Sequence, residues 1–473
     1  MKSVVGVCLC LLILLVSPAV AQMSAEDLRR ERQETLEALR RTEDFSGKSS
    51  WVSRGLSRAS GWRMKFGGVY SPSYTSGGNN DRDGSMQDAL DHTWDQDVRM
   101  FFHLTSRSGK TKVYARVKST YARNARTAPA IRGSDLVAPT FDMLYLQRLF
   151  QAGGWRHTLT AGRQYVSVER GISFGLVSDG LQVESKSRVN ELQAFFVRQN
   201  PGDDNVDILS AGAGRTKRWF YGAEWKFRFL SNHKAGVFAV GNVDRNDEAP
   251  DASGQRHQLD SFYYGLGLDG RVFGNLSYWV LSIQESGRTY PNGGASKVSI
   301  AASALDAGVR YFFRTATAPS LYAEYASASG DGDATGSSSS TLGGSASGND
   351  RRFIGFGGLS LGYALAPQLT NIDVLKLGMS VKPFGWTASQ SWSEFSVQPT
   401  YYIYRKDQAS GATSDPYSTV VSRDLGAEFD LTMAWKAAVD ISYQLKFGRF
   451  NPAAAYPNRG TENYLRLKLT LDL

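Results

Sequence analysis

Three ribbons near the C-terminus alternate strictly between apolar and polar residues. In 462–473, Leu465, Leu467, Leu469, Leu471 and Leu473 fall on one side, and Arg466, Lys468, Thr470 and Asp472 on the other. In 436–450, Val439, Ile441, Tyr443, Leu445 and Phe447 alternate with Asp440, Ser442, Gln444, Lys446 and Gly448. In 424–435, Leu425, Ala427, Phe429, Leu431 and Met433 alternate with Asp424, Gly426, Glu428, Asp430 and Thr432. A period of two marks a strand with one apolar and one polar face. A soluble sheet could bury the apolar face on a core. A transmembrane barrel would turn it to lipid and keep water and charge inside.

The rest of the chain favours the barrel. Strand-like segments recur at 62–74, 94–105, 111–123, 142–149, 155–163, 180–185, 190–199, 219–229, 233–243, 257–269, 274–287, 303–313, 319–329, 371–381 and 392–405. With the last three they make about eighteen. Links between them alternate long and short. SRSGK after Thr105, FQAGG after Leu149, LSN after Phe229 and Trp435-Lys436 are short. The links after Tyr74 and Arg123 and the Ser/Gly-rich 330–350 are long. Barrels place short turns in the periplasm and long loops outside the cell. The span 351–367 also reads as strand, but an even count requires it to lie in a long loop. The fold expected is therefore an all-β, transmembrane, antiparallel up-and-down β-barrel over 61–473.

The N-terminus changes the compartment. Lys2, the apolar run 4–16 and Ala19-Val20-Ala21 make a secretory signal peptide over 1–21, too short to span as a helix. Residues 22–60 read as a short, charged periplasmic helix and a linker, with Glu26 and Glu37 each preceding Arg pairs at helical spacing. Both cysteines, Cys8 and Cys10, lie in the leader, so no disulfide or thiolate metal site is expected afterwards. Glycine (48), phenylalanine (24), tyrosine (22) and tryptophan (10) are abundant, as turns and aromatic girdles require.

A net charge of +9 in an exported chain points to an anionic substrate or lipopolysaccharide, not to nucleic acid. No nucleophile elbow, phosphate loop or zinc helix occurs, so neither an enzyme nor a cofactor is expected. Asp331 and Asp333 suggest a calcium loop, but the calcium-binding nonapeptide repeat is missing, and a surface loop fits better. The candidate chemistry is the inward face. If Val113, Ala115 and Val117 face lipid, then Lys112, Arg116 and Lys118 face the lumen. By the same alternation Arg99 and His103 point inward, as do Glu224, Lys226, Arg228 and Lys446. A Lys or Arg on the lipid side would cost about 2–4 kcal/mol at mid-membrane. Such charges could line a pore for a polyanion, or pair with one another and only fill a polar interior.

Residues 161–185, AGRQYVSVERGISFGLVSDGLQVES, and the closing DLGAEFDLTMAWKAAVDISYQLKFGRFNP resemble the alginate-export family of outer-membrane barrels. That resemblance implies eighteen strands and export of a linear anionic polysaccharide through a basic constriction. It also implies that Arg163 lines the pore. The partners it implies are outer-membrane lipid, lipopolysaccharide, an anionic polysaccharide and periplasmic export proteins. The loop after Gln164 departs from the family's more acidic and aromatic pattern, which bears on the substrate more than on the fold. Rival functions are a diffusion porin for small anionic solutes or nutrients, and a structural barrel sheathing a periplasmic or extracellular partner.

Overall fold

The computed structural model describes residues 62–79, 82, 91–125, 132–199, 217–245, 256, 258–291, 296–334 and 344–473. The expected leader and N-terminal helix lie outside them. Eighteen strands form one sheet: β1 Arg63–Gly78, β2 Asp91–Thr105, β3 Thr111–Ala125, β4 Arg132–Ala152, β5 Trp155–Ser167, β6 Gly175–Lys186, β7 Asn190–Gln199, β8 Arg218–Leu230 and β9 His233–Asp244. The second half is β10 Leu259–Val272, β11 Leu276–Thr289, β12 Val298–Phe312, β13 Ser320–Ala328, β14 Ile372–Ser380, β15 Ser396–Arg405, β16 Asp424–Ala438, β17 Ile441–Pro452 and β18 Glu462–Asp472. A one-turn helix, α1 (Gln390–Ser393), lies between β14 and β15.

Every strand pairs antiparallel with its neighbour in sequence, and β18 pairs with β1 to close the ring. Across that seam Tyr70 faces Leu471 and Tyr74 faces Leu467. Gly68 and Leu473 exchange both main-chain hydrogen bonds, at 3.1 and 2.8 Å. Gly67 allows the close approach, because a Cβ there would meet the Phe101 ring at 2.6 Å.

Large apolar side chains stand exposed around the outside, among them Met100, Leu144, Leu181, Leu266, Leu321, Phe429 and Leu467. An exposed belt this broad is stable only against hydrocarbon. At the short-turn end the belt becomes aromatic. Trp392 stacks on Trp435 at 4.9 Å and meets Phe384 edge-on at 5.5 Å, and Trp435 stacks on Tyr443. The medium link 381–395 is thereby part of the interfacial girdle.

The alternation located all eighteen strands, with shifted ends. The tight turn expected at Trp435-Lys436 is formed by Val439 and Asp440, and β16 continues through a bulge to Ala438. β6 starts at Gly175, not Gly180, and β4 extends back to Arg132. In β6 the missed residues include inward Leu176 and outward Val177, so polarity does not alternate there. The span 351–367 lies in the link between β13 and β14, as an even strand count requires.

The two faces should tolerate a charge very differently. Leu266→Arg, outward on β10, should destabilise the folded barrel by about 2–4 kcal/mol. Gln182→Arg, inward on β6, should cost far less. Denaturant titration in lipid vesicles, read by heat-modifiable gel mobility, measures both; equal losses would contradict the assignment of faces.

Candidate functional site: the lumen and its two inward loops

Two links turn into the lumen instead of outward. One is the short link between β5 and β6, 168–174; the other is the long link between β13 and β14, 329–371. They meet as a short parallel bridge. Phe356 N–H donates to Ser173 at 2.9 Å, Gly175 N–H to Phe356 at 3.2 Å, and Gly358 N–H to Gly171 at 3.0 Å. A Cβ on Gly357 would lie 1.8 Å from the Gly171 carbonyl, so the chains can touch only where the sequence has glycine.

The long loop is fixed to the wall by buried carboxylates. Glu428, inward on β16 and fully buried, accepts from the backbone N–H groups of Tyr363, Ala364 and Leu365 at 2.6, 2.7 and 3.0 Å. Tyr404 donates to the Leu361 carbonyl at 2.8 Å. Across the ring Glu285 accepts from Ile354 N–H at 2.9 Å, and Tyr263 donates to the Ile354 carbonyl. Apolar packing completes the attachment. Phe174 lies 5.1 and 4.8 Å from Phe195 and Phe220, and Phe220 lies 4.9 Å from Phe356.

The inward residues Phe195, Phe220, Phe238, Val240, Tyr263 and Ile283 are therefore buried beneath loops. On β18 and β1–β5, Lys112, Tyr114, Lys118, Tyr145, Arg466 and Lys468 stay partly exposed. The inward side chains that remain accessible thus mark out a passage along that second arc. Asp331 and Asp333 serve the loop's own backbone: Asp331 accepts from Arg351 N–H at 3.0 Å, and Asp333 from Ala346 and Ser347 N–H at 3.1 and 3.0 Å.

Sequence alternation and structure agree on the direction of most candidate side chains. Arg99 points inward and pairs with Asp97 at 2.6 Å. Arg116 pairs with Asp142 at 2.7 Å and is only 3% exposed. Lys112 and Lys118 point inward on β3. Lys226 is held by Glu224 at 3.2 Å and Glu169 at 3.6 Å. Arg228 stands in the inward row near the short-turn end, opposite Lys234. Lys446 lies over the Tyr363 ring at 4.8 Å.

Arg163 is a correction. Its register partner on β4 is Leu144, which faces outward. Its guanidinium pairs at 2.7 Å with Asp179 on β6, also on the outer face, and donates to the Phe141 carbonyl. Gly162 and Gln164 hold the inward positions on either side, so Arg163 does not line the lumen.

The inward links also bring together charged residues that the sequence reading did not name. Arg170, from the short loop, reaches β11–β13: it pairs with Asp306, pairs with Glu324 at 2.8 Å, and lies 4.7 Å over Trp279. Lys376 meets the same Glu324 at 3.2 Å. Arg218 and Asp244 form a fully buried pair at 2.9 Å, with Arg218 over Phe356. Arg82 ties three long links together through Asp415 at 3.0 Å and Glu462 at 2.8 Å, with Tyr456 at 4.7 Å. Of these cations only Arg170 falls in a stretch quoted for the family resemblance.

A closed eighteen-strand ring with an apolar exterior, a charged interior and lumen-narrowing loops is an outer-membrane β-barrel pore. OccK5 (OpdH) of Pseudomonas aeruginosa superposes with a TM-score of 0.54 at 10% identity, over 87% of this chain and 98% of that one. OccK8 (OprE) of the same organism gives 0.52 at 11% identity, with the same coverages. OpdK, solved with vanillate, also gives 0.52 at 11% identity, again over 87% of this chain and 98% of its own. These likenesses establish the fold. The alginate export family matches residues 205–468, and the chain belongs to that family. No curated protein matches the chain. The chain is placed in the Gram-negative outer membrane.

Two outcomes test the loop anchorage. Glu428→Ala leaves three loop N–H groups without their acceptor, each worth about 1–3 kcal/mol when buried. The barrel should still fold, while single-channel conductance in planar bilayers should rise and grow noisier; an unchanged trace would mean the loop does not narrow the passage.

Glu169 gives the lumen a pH dependence. Burial pushes its carboxyl up to about 7, with Glu224 and Asp269 adding to the rise and Lys226 opposing it. A raised carboxyl is neutral below its pKa, so acidification through about pH 7 removes a negative charge beside Lys226. Anion selectivity should increase between about pH 8 and pH 6, and Glu169→Gln should abolish most of that change in reversal-potential measurements.

Proposed function

We propose that this pore conducts an anionic polysaccharide outward, along the passage bounded by β18, β1–β5 and the two inward loops. The observation that carries this reading is a set of like charges placed directly opposite on the inner face. Arg99 faces Lys118, Lys446 faces Arg466, and Arg228 faces Lys234 across adjacent strands. Opposed like charges weaken a sheet. Carboxylates offset part of this, Asp97 at Arg99 and Glu191 at Lys234, at 2.6 and 2.7 Å. A passing polyanion would meet the same cations and add to that compensation. Arg99, Lys118 and Arg466 stand on the passage arc itself, and Arg228 and Lys234 on β8 and β9 near the short-turn end, so a charged polymer meets successive weak sites instead of one tight one. Family membership supports the same reading.

A small-anion porin is the competing function, as the vanillate in the OpdK structure suggests. The reading expects anion-selective current that a polyuronate blocks from the short-turn side. Block by a small aromatic carboxylate, with none by polymer, would favour the porin. The double substitution Lys112→Glu/Lys118→Glu should shift selectivity towards cations, whereas Arg163→Gln should leave it unchanged. Reversal potentials in a salt gradient measure both; unaltered selectivity in the double variant would overturn the lumen's proposed role.

A further inference from the structure

The passage carries a row of aromatic rings between its charged rows. His103 on β2, Tyr114 on β3 and Tyr145 on β4 are consecutive register partners on the inner face. Tyr114 and Tyr145 stack with centroids 5.3 Å apart and 26° between planes. His103 meets Tyr114 edge-on at 6.2 Å. All three remain partly exposed. The next two register positions in the row are Gly162 on β5 and Gly180 on β6, which carry no side chain.

Polar groups flank the rings along the strands. On one side Lys112, Gln147 and Thr160 are register partners, with Gln147 donating to Thr160 at 3.4 Å. On the other stands the Arg116–Asp142 pair. Other inward aromatics have cations over their rings: Arg310 and Lys376 over Tyr322, Lys376 over Tyr402, and Lys446 over Tyr363.

We infer that the His103–Tyr114–Tyr145 row is a sugar-binding subsite, a platform on which the C–H face of a pyranose packs while Lys112 takes its carboxylate. An aromatic face offers apolar, directional contact to a ring whose opposite edges carry hydroxyls. Gln147, held by the buried Thr160, can donate to and accept from those hydroxyls. Charge alone would pass any polyanion; rings beside a lysine select for acidic sugars. The inference rests on the export reading and assigns its sugar contact to these three side chains.

The test uses the full chain in planar bilayers with a galacturonate hexamer and, separately, a polyacrylate of matched charge. Tyr114→Leu/Tyr145→Leu should shorten the hexamer's blocking events on the order of tenfold. Polyacrylate block should keep its duration. Tyr114→Phe/Tyr145→Phe should keep the long events, since the ring faces remain. Unchanged hexamer events in the leucine variant, with the unsubstituted protein blocked normally, would overturn the subsite and leave the export reading standing. Equal weakening of hexamer and polyacrylate would also overturn it, since the rings would then act only on pore shape. Absence of block by either polymer in the unsubstituted protein would overturn the export reading beneath it.

Discussion

The structure depends on one constraint: inside hydrocarbon, each main-chain N–H and C=O needs a partner in the protein. A sheet meets that need only if it has no edge. The pairing of β18 with β1 removes both edges, and the apolar exterior is stable only because the ring is closed. Closure also fixes parity. Once one strand's outward residues are set, register propagates the assignment around the ring, through Arg163 as through Arg116.

Within that wall the two inward links divide the lumen unequally. The arc β6–β17 is covered by loop and lined with buried side chains, while the arc from β18 to β5 keeps partly exposed charge. The covering is polar at its attachments and apolar between them. Glu428 and Glu285 hold backbone donors that would otherwise be orphaned away from solvent. Function and stability are thereby separated in space: one arc anchors a loop, and the other presents cations and rings to whatever passes.

The sequence made the wall legible because lipid imposes a simple rule on every second residue. Leu465 to Leu473 announce an outer face, and Lys112, Arg116 and Lys118 an inner one. The rule fails where the inside is not wet. Phe195, Phe220 and Phe238 point inward yet are apolar, and β6 begins before its polarity alternates. It says nothing of loops, so Arg170 gave no periodic signal, and Glu428, though it stood on the polar side of its ribbon, gave no sign that it would hold a loop. Arg163 was misplaced for a different reason: it was carried over by likeness to a family motif, while its neighbours Gly162 and Gln164 already held the inward positions.

The bridge between Ser173–Gly175 and Phe356–Gly358 has a consequence for how the molecule comes apart. It joins segments distant in the chain, yet belongs to an inner layer with its own small apolar core. The outer wall is held by the bilayer and by long ladders; the inner layer has only short bridges and side-chain anchors. Two tiers of stability follow. The lining can melt and re-dock while the cylinder stays in the membrane, so amide exchange in the lining would run on its own clock, decoupled from extraction of the whole protein.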